Sequence, residues 1–277
     1  MKKKLIFLDI DGTLTVAGSN EPPRSALQAI DAAKANGHKV FLCTGRNLDM
    51  LSPLLRYGFD GMVASSGGYV CVGDKVIADY PMPDEDRDTA LRTLHESGVF
   101  CTIEAKNGSW GDANLKGFLD SQPEGNSEIE RWRAALAGNL GIRPMETYDG
   151  SPIYKVVVMC LKSSQLQSAR NALEDRYNFV MQEVPAHGCI NGEIVSRRFD
   201  KGRGVQAVCR YLGVSTEDTI GFGDSMNDLE MIQAVGTSVC MGNGAQSLKK
   251  ISDVVAPPVT EDGLYKAFKN LGLLEQS

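Results

Sequence analysis

The sequence of 277 residues predicts an α/β fold from three observations: an apolar strand near its start, an alternation of strands and helices, and one interruption of that alternation. The run Leu5–Leu8 is entirely apolar and Gly12 bounds it, which is typical of a strand buried on both faces of a parallel sheet. The alternation occupies residues 1–81 and 195–277, whereas residues 82–194 show a mixed pattern. We therefore expect a Rossmann-like parallel sheet core with an inserted α+β cap domain.

The first part of the core, residues 1–81, alternates strand and helix after the run Leu5–Leu8. Pro22–Pro23 is a typical helix start, and Gly37 is a typical helix stop. Two short strands joined by Gly73–Asp74 predict a hairpin instead of another βα unit. In order, the predicted elements are a helix from Pro22 to Asn36, a strand Lys39–Cys43, a helix Leu48–Tyr57, a strand Gly61–Ala64, and hairpin strands Tyr69–Val72 and Val76–Asp79.

The interruption begins at Pro81–Met82–Pro83, and we interpret residues 82–194 as a second domain that two crossings of the chain join to the core. Its helices and strands do not alternate in the βα manner. The predicted elements are a helix ending near Ser97, a strand Phe100–Ile103, a glycine-rich stretch Trp110–Gly117, a helix Ser127–Leu140, a strand Ile153–Leu161, a helix Ser164–Tyr177, and strands Phe179–Val184 and Cys189–Val195.

The second part of the core, residues 195–277, returns to the βα alternation. Lys201–Gly202 begins its first helix, and the strand that follows ends in the acidic stretch Gly223–Asp228. The predicted elements are a helix Lys201–Leu212, a strand Thr219–Phe222, a strand Ser238–Met241, a helix from Ala245, a strand Val254–Val255 and a helix Gly263–Leu271.

Composition excludes several classes of partner. The 29 basic and 35 acidic residues give a net charge of -6, and no basic block follows Met1–Lys4, which argues against nucleic acid. No apolar run reaches the ~20 residues that a membrane-spanning helix needs, and the start lacks the organisation of a signal peptide. The seven scattered cysteines, without a C-x-x-C pair, predict free thiols in a reducing compartment. We expect a cytoplasmic protein without a membrane partner, as a monomer or a small homo-oligomer.

Two acidic residues, Asp9 and Asp11, follow the first strand. In open α/β sheets, ligands bind beyond the carboxyl ends of the strands. Residues i and i+2 of a nearly extended chain project to the same side, so the two carboxylates are expected to share one site. Neither has a Lys or Arg neighbour in sequence, so a cation or a proton must relieve their repulsion. Gly12 permits a sharp turn there, and Thr13 adds a hydroxyl.

Three later stretches present complementary chemistry at strand or helix ends. Thr44–Gly45 follows a strand, Lys201 starts a helix, and Asp224 with Asn227–Asp228 follows another strand. Each alone has an ordinary interpretation as a turn, a solvated lysine or a helix cap. Together with the first acids, they predict one convergent site. Three arginines are interpreted as surface charges and left out of the catalytic core: Arg46, Arg197 and Arg198.

These stretches resemble the motifs of the haloacid dehalogenase superfamily of phosphatases. The insertion lies between the threonine and the lysine, which is similar to the type IIB capped branch called Cof-like hydrolases. The resemblance extends from Lys4 to Leu274, with one departure, since Ser66–Gly67 stands where such proteins often carry Asn-Gly. The matching motifs are D-x-D-G-T at Asp9–Thr13, Thr-Gly-Arg at Thr44–Arg46, Asp-Lys-Gly-x-Gly at Asp200–Gly204 and G-D-S-x-N-D at Gly223–Asp228.

The resemblance implies a Mg²⁺-dependent phosphatase that hydrolyses small phosphomonoesters, commonly phosphosugars, so the expected partner is a small phosphorylated metabolite. Asp9 would attack phosphorus and form an aspartyl-phosphate. Asp11 would protonate the leaving alcohol and then deprotonate the water that hydrolyses the intermediate. The first of these tasks requires a neutral carboxyl group, and we expect burial beside Asp9 to raise the pKa of Asp11.

The resemblance also implies which residues bind the ion and the phosphate. Mg²⁺ would be held by the carboxylates of Asp9 and Asp224 and the main-chain carbonyl of Asp11. Asp228 would stand behind these ligands and orient Asn227 or a water on the ion. Lys201 would neutralise charge on the nucleophile and the phosphoryl group. The expected phosphate-binding residues are Thr44, Gly45, Lys201 and Asn227.

Two alternative functions use similar residues. A phosphosugar mutase of the same branch would share the core but retain the phosphoryl group. A metal-dependent D-x-D glycosyltransferase is disfavoured by Gly12–Thr13 directly after the acids and by the distant stretch Gly223–Asp228. Substrate selection is expected to lie in the inserted domain, with candidate polar residues in Trp110–Asn114 and near Glu183–Asn191.

Overall fold

The structure is a computed structural model, and it describes residues 2–115, 117, 141–183 and 190–274. The chain divides into two compact units. Unit 1 comprises Met1–Arg46, Leu51–Asp79 and Phe199–Ser277, and unit 2 comprises Asn47–Met50 and Tyr80–Arg198. The predicted cap domain, residues 82–194, falls within the longer segment of unit 2. The predicted helix Ser127–Leu140 lies outside the described residues.

The helices and strands of the described residues are numbered in chain order. The strands are β1 Leu5–Leu8, β2 Lys39–Cys43, β3 Gly61–Ala64, β4 Tyr69–Val72, β5 Lys75–Asp79, β6 Phe100–Ala105, β7 Gly108–Gly111, β8 Ile142–Pro144, β9 Ile153–Cys160, β10 Tyr177–Glu183, β11 Ile190–Ser196, β12 Thr219–Gly223, β13 Thr237–Cys240 and β14 Val254–Val255. The α-helices are α1 Arg24–Ala35, α2 Leu48–Leu51, α3 Asp84–Glu96, α4 Gln167–Leu173, α5 Lys201–Leu212, α6 Leu229–Ala234, α7 Gln246–Lys249 and α8 Gly263–Asn270.

Unit 1 contains a sheet with the strand order β14-β13-β12-β1-β2-β3-β4-β5. The strands from β14 to β3 are parallel, and β4 and β5 form the predicted antiparallel hairpin at one edge. All four residues of β1 are buried because this strand pairs on both sides, with β12 and with β2. The chain passes from β1 to β2 on one side and reaches β12 on the other, so a crevice is expected beyond the carboxyl end of β1.

Helices cover both faces of this sheet. Leu5 and Phe7 of β1 pack with Val205 and Val208 of α5 in one apolar cluster. The alternate side chains of β1, Ile6 among them, point to the opposite face and are also fully buried. The predicted fold class is therefore confirmed for the core, in which central strands lie between two apolar layers.

Unit 2 contains a second sheet with the strand order β10-β11-β9-β6-β7-β8. Its pairs are antiparallel except for β7 with β8. Ala90 and Leu94 of α3 pack in one apolar cluster with Val156 and Val158 of β9. Because side chains alternate along a strand, Lys155 projects to the face opposite that cluster. This charged residue is nevertheless buried.

Two predicted helices are shorter in the structure. The predicted helix Leu48–Tyr57 is the short helix α2 followed by a 3₁₀-helix, Ser52–Tyr57, since Pro53 has no N–H to continue the α-helical bonding. The predicted helix Ser164–Tyr177 ends at Leu173, because its last predicted residue is buried as the first residue of β10. The short strands β7 and β8 had no sequence signal, since glycine stands at both ends of β7.

Two further observations concern the described part of the chain. None of its helices has both the length and the apolar character that crossing a membrane would require. Its cysteines are all free thiols, and each of them is buried. They are Cys43, Cys71, Cys101, Cys160, Cys209 and Cys240.

Candidate active site

Asp9 lies where β1 ends, and its carboxylate is buried. Its N–H donates to the carbonyl of Phe222 at 2.9 Å, so the pairing with β12 continues one residue beyond β1. Only 4% of Asp9 is exposed. The turn that follows needs glycine, since Gly12 has a φ of +84° and a Cβ there would overlap the carboxylate of Asp224. The first acidic stretch therefore approaches the later one closely.

Lys201 is the first residue of α5 and joins two of the acids. Its Nζ donates to Oδ1 of Asp9 at 2.8 Å and to Oδ1 of Asp228 at 2.6 Å. The residue is 2% exposed. Asp200 caps the helix by accepting the N–H of Arg203 at 2.7 Å, which fixes the helix start. Burial alone would lower the pKa of the Lys201 ammonium, but the charges of Asp228 and Asp9 raise it, so the group remains protonated.

Asp228 has a larger structural role than the sequence indicated. Its Oδ2 accepts the N–H of Asp224 at 3.0 Å and that of Ser225 at 3.1 Å, while its Oδ1 accepts from Lys201. The residue has no exposed surface. Asp228 therefore folds the loop after β12 and contacts the lysine directly.

Asp9, Asp224 and Asp228 form a cluster that fits a divalent cation. One carboxylate oxygen of each lies within 4.8 Å of the other two. Oδ1 of Asp224 is buried and has no hydrogen-bond partner within the described ranges. Three carboxylates around the one ammonium of Lys201 leave an excess of two negative charges, and oxygen ligands of this kind suit Mg²⁺.

In the absence of an ion, the excess of negative charge raises the pKa values of two of these carboxyl groups. Burial, and then repulsion from Asp228, raise the pKa of Asp224 to about 6. Burial and Asp228 also raise the pKa of Asp9, although Lys201 opposes them. A bound cation would lower both pKa values, because it favours the ionised carboxylates.

Thr44 and Gly45 follow β2, the parallel neighbour of β1. Leu8 pairs with Leu42 in the register of these strands, so Thr44 lies at the same sheet edge as Asp9. Thr44 is 2% exposed, and its Oγ1 accepts the N–H of Arg46 at 3.2 Å, which leaves its O–H as a donor. The predicted phosphate-binding hydroxyl is thus on the acidic edge of the sheet.

Asn227 reaches the same cluster from the loop after β12. Its Oδ1 accepts from the hydroxyl of Ser225 at 2.8 Å and lies 3.5 Å from Nζ of Lys201. These contacts occupy the amide oxygen and leave the NH₂ group as a donor.

The carboxylate of Asp11 contacts Arg46, a pairing that the sequence analysis did not predict. Its Oδ2 accepts Nε–H of Arg46 at 2.8 Å, and its Oδ1 accepts Nη2–H of the same residue at 2.7 Å. Oδ1 also accepts the N–H of Gly18 at 2.8 Å. Burial acts to raise the pKa of Asp11, but the hydrogen bonds and charge of Arg46 outweigh it and lower that pKa. The expectation of a raised pKa is therefore wrong for this arrangement.

Arg46 was interpreted as a surface charge, and that interpretation is wrong. The residue is 9% exposed, and besides Asp11 its side chain donates to Oδ1 of Asn20 at 2.6 Å and to the carbonyl of Ser19 at 3.1 Å. The available signal was its position directly after Thr44–Gly45, since an arginine at the carboxyl end of a parallel strand faces the same crevice as the acids.

Asn243 is a second residue that sequence reasoning missed. Its Nδ2 donates to the carbonyl of Gly12 at 2.8 Å, and its Oδ1 accepts the N–H of Val259 at 2.9 Å. It therefore fixes the turn after Asp9. The signal was its place shortly after β13, another strand that ends at the same edge of the sheet.

Unit 2 contains a separate group of His95, Cys101 and Asp112. Nε2 of His95 lies 3.1 and 3.0 Å from the two Asp112 oxygens, and Asp112 also accepts the N–H of Cys101 at 2.7 Å. Burial raises the pKa of the Cys101 thiol well above its usual range, so the thiol keeps its proton in the metal-free protein. It is a His–Asp pair at the end of α3.

The polar residues predicted to select the substrate lie in Trp110–Asn114 and near Glu183–Asn191. In the first stretch, Asp112 contacts His95 and Asn114 is exposed. Trp110, in the stretch Trp110–Asn114, is 1% exposed and belongs to the apolar cluster of unit 2. Most of the stretch Glu183–Asn191 lies outside the described residues.

The chain is similar in sequence to a known family and its members. Residues 6–268 match the family described as haloacid dehalogenase-like hydrolase. YkrA of Bacillus subtilis (strain 168) is 30% identical over 282 residues, which cover 99% of this chain and 100% of YkrA. The 5-amino-6-(5-phospho-D-ribitylamino)uracil phosphatase YwtE of the same organism is 26% identical over 278 residues, with 94% and 95% of the two chains covered.

Solved structures share the fold over nearly the whole chain. A hypothetical protein from Geobacillus kaustophilus HTA426 superposes with a TM-score of 0.80 at 25% identity, covering 98% of this chain and 100% of the other. BT4131, described as a sugar phosphatase of subclass IIB, superposes with a TM-score of 0.74 at 24% identity, with the same coverage. BT1666 from Bacteroides thetaiotaomicron has a TM-score of 0.78 at 20% identity over 98% of this chain and 96% of its own.

Proposed function

We propose, because this chain belongs to the haloacid dehalogenase-like hydrolases, that it is a Mg²⁺-dependent phosphatase of small phosphomonoesters, above all sugar phosphates, and that Asp9 carries the phosphoryl group. The observation on which the proposal depends is the buried cluster around Lys201. There the nucleophile, the ammonium and an unpartnered oxygen of Asp224 lie together. The predicted family is confirmed; the metal, the substrate class and the individual roles are the content of the proposal.

In the first step, one carboxylate oxygen of Asp9 attacks phosphorus and the bond from phosphorus to the alcohol oxygen breaks. Asp11 gives its proton to that departing oxygen. Lys201, held 2.8 Å from Asp9, stays next to the phosphoryl group that Asp9 receives. The N-terminal end of α5 adds its partial positive charge, so the negative charge that develops is stabilised.

In the second step, water attacks phosphorus and the bond from Asp9 to phosphorus breaks. Asp11, now ionised, takes the proton of the attacking water. The products are inorganic phosphate and the regenerated carboxylate of Asp9. Each enzyme group thus returns to its starting form after one turnover.

The remaining polar groups bind the ion and the phosphate. When bound, Mg²⁺ supplies positive charge against the phosphate and the surrounding acids. The carboxylates of Asp9 and Asp224 and the main-chain carbonyl of Asp11 would hold it. The phosphate oxygens would accept from the hydroxyl of Thr44, the N–H of Gly45, the amide of Asn227 and the ammonium of Lys201.

Sugar phosphates are favoured as substrates by two relatives of full length. YwtE is named for a substrate with a phosphorylated ribityl group, and BT4131 is described as a sugar phosphatase. In this proposal the cap domain, residues 82–194, selects the alcohol portion. The core alone would serve a phosphosugar mutase equally well, and the fate of the phosphoryl group separates the two activities.

The test is a phosphate-release screen of the full-length protein with phosphosugars and other small phosphomonoesters, with Mg²⁺ and with EDTA. We expect inorganic phosphate from several phosphosugars in Mg²⁺ and none in EDTA, with Asp9→Asn as an inactive, folded control. A phosphosugar isomer formed without inorganic phosphate would identify a mutase. Phosphate release at an equal rate in EDTA would contradict the metal assignment.

A further inference from the structure

Arg46 is fixed in place at both its backbone and its side chain. Its N–H donates to Oγ1 of Thr44, and its carbonyl accepts the N–H of Ser65 at 2.9 Å. Its guanidinium forms a two-point contact with Asp11 and further hydrogen bonds to Asn20 and Ser19. A side chain held at so many points keeps one orientation.

The contact with Asp11 is the only ion pair of Arg46 within the described ranges. Arg46 is 9% exposed, so its charge needs a partner, and the side chain of Asp11 is 41% exposed. The carboxylate accepts three hydrogen bonds, two from Arg46 and one from Gly18. Both oxygens of Asp11 are therefore engaged as acceptors, as a carboxylate without a proton requires.

We propose that Arg46 is a positioning residue that holds the Asp11 carboxylate for activation of water in the second step. This inference rests on the proposed function. In that step Asp11 acts as a carboxylate, and the two-point contact with Arg46 holds both of its oxygens in one orientation. In the first step Asp11 must present a proton on one oxygen to the departing alcohol, whereas both of its oxygens now face N–H donors of Arg46. The contact must therefore open on one side before the alcohol is protonated.

The position of Arg46 connects this contact with phosphate binding. Thr44, Gly45 and Arg46 are consecutive, and the N–H of Arg46 is bonded to the hydroxyl oxygen proposed to contact phosphate. One loop after β2 therefore holds both the phosphate and the acid–base group. A direct contact of the guanidinium with the phosphate is the competing role, and it would not depend on Asp11.

A double-mutant cycle separates the two roles. The variants are Arg46→Ala, Asp11→Asn and both together, with Arg46→Lys as a variant that retains the buried charge and with thermal melting as the check of folding. Rapid mixing with a phosphosugar, followed by acid quench, measures the phosphorylated enzyme and its hydrolysis. We expect Arg46→Ala to slow that hydrolysis by about tenfold or more. In the Asp11→Asn background the same change should cost less than about twofold.

Two further readouts complete the test. The phosphorylated enzyme should accumulate in Arg46→Ala, and Arg46→Lys should fall between it and the wild type, because one ammonium replaces a two-point contact. In nitrogen-15 NMR spectra of the resting enzyme, the Nε–H resonance of Arg46 is assigned as the one that disappears in Arg46→Lys. We expect this resonance to shift in Asp11→Asn. If Arg46→Ala does not fold, Arg46→Lys takes its place in the cycle.

The outcomes separate this inference from the proposed function. Equal slowing by the Arg46 change in both backgrounds, or an Nε–H resonance unmoved by Asp11→Asn, would overturn the positioning role alone. A wild-type enzyme that releases no phosphate from any phosphomonoester would overturn the proposed function and this role with it.

Discussion

Two buried lysines, one in each unit, invite comparison because both lie between two carboxylates. Lys201 of unit 1 contacts Asp9 and Asp228, at 2.8 and 2.6 Å. Lys155 of unit 2 contacts Glu193 and Glu104, at 2.9 and 3.2 Å. Both lysines have raised pKa values, because attraction by the carboxylates exceeds the effect of burial. The nearest contacts alone therefore do not distinguish Lys201, which is proposed to be catalytic, from Lys155, which is not.

The surroundings do distinguish them. Lys155 and Glu104 are register partners on neighbouring strands, so the sheet itself fixes the pair. The side chain of Glu193 is 41% exposed, and water can solvate the excess negative charge. The cluster of Lys201 has a third carboxylate, Asp224, and one buried oxygen of it has no hydrogen-bond partner among the described residues. A buried lysine indicates a reactive site when the charge around it remains uncompensated.

The backbones also differ. In the described part of the chain, the residues other than glycine with positive φ are Ser65, Ser66 and Asp262, and all three belong to unit 1. Ser65 and Ser66 lie beside the loop Thr44–Arg46, which is proposed to bind phosphate, since the N–H of Ser66 donates to the carbonyl of Thr44 at 2.9 Å. Strained backbone of this kind persists where the surrounding structure fixes it, and it clusters at functional sites.

The sharpest test of the comparison is the same substitution at both lysines. Lys201→Met should lower kcat for phosphate release by about 10³-fold, because it removes the ammonium beside the nucleophile. Lys155→Met should leave kcat, per folded molecule, within about threefold of the wild type for p-nitrophenyl phosphate. Steady-state phosphate release measures both. Equal losses at the two positions would refute the distinction.

The second test concerns stability in unit 2. Lys155→Met should lower the free energy of unfolding by about 3 kcal/mol, because Glu104, whose side chain is only 16% exposed, is left without its cation. Denaturant unfolding followed by circular dichroism measures the change. Adding Glu104→Gln to Lys155→Met should recover part of the loss. A single variant as stable as the wild type would show that the ion pairs of unit 2 do not stabilise it.

The third test depends on the competition between protons and Mg²⁺ for the carboxylates of unit 1. Because the pKa of Asp224 is raised to about 6, the metal-free fold binds this proton more tightly than the unfolded chain does. Stability from this group is therefore greatest at low pH and is lost as pH rises through about 6, by on the order of 2 kcal/mol. Mg²⁺ should remove that loss, so it should raise Tm more at about pH 7.5 than at about pH 4.5.

Thermal melting in Mg²⁺ and in EDTA at the two pH values measures this difference, and Asp224→Asn is the matched control. In that variant the part of the dependence on pH and ion that comes from Asp224 should be absent, while Asp9 still contributes. An equal effect of Mg²⁺ at both pH values in the wild type would contradict a cation site at these carboxylates.

The smallest expected effect is at Ser66, whose φ of 58° and ψ of 27° are left-handed. Ser66→Gly should stabilise the fold by about 0.5–1 kcal/mol, because glycine adopts this conformation without strain. Ser66→Ala is the control and should give no gain, since it keeps the Cβ. Urea unfolding measures both. A glycine variant no more stable than the alanine variant would show that this loop is unstrained.

Sequence reasoning predicted the core correctly where a local signal was sufficient, either an apolar run or a polar residue at a strand end. Apolar runs such as Leu5–Leu8 predicted the parallel strands, and polar residues after those strands predicted Asp9 and Asp224 at one edge. It failed where a partner lies far along the chain. Arg46 and Asp11 are 35 residues apart. The place of Arg46 directly after Thr44–Gly45 indicates the crevice, but no local pattern indicates its ion pair with Asp11.

In residues 82–194 the sequence reasoning missed one buried ion pair and misplaced one helix end, for related reasons. Lys155 lies in an apolar strand run, and no local pattern marks it as buried in an ion pair, because its partners, Glu104 and Glu193, come from other strands. The helix predicted to reach Tyr177 ends early because pairing between β10 and β11 outweighs local propensity. Long-range pairing, which periodicity does not encode, accounts for both.

The central claim is that Asp9 carries the phosphoryl group, and one measurement tests it most directly. The protein is mixed with a phosphosugar and Mg²⁺, quenched in acid within the first turnover, and digested for mass spectrometry. We predict that the peptide containing Asp9 gains the mass of one phosphoryl group, and that neither EDTA-treated protein nor Asp9→Asn shows this gain. Phosphate release at full rate with Asp9 unmodified would contradict the account.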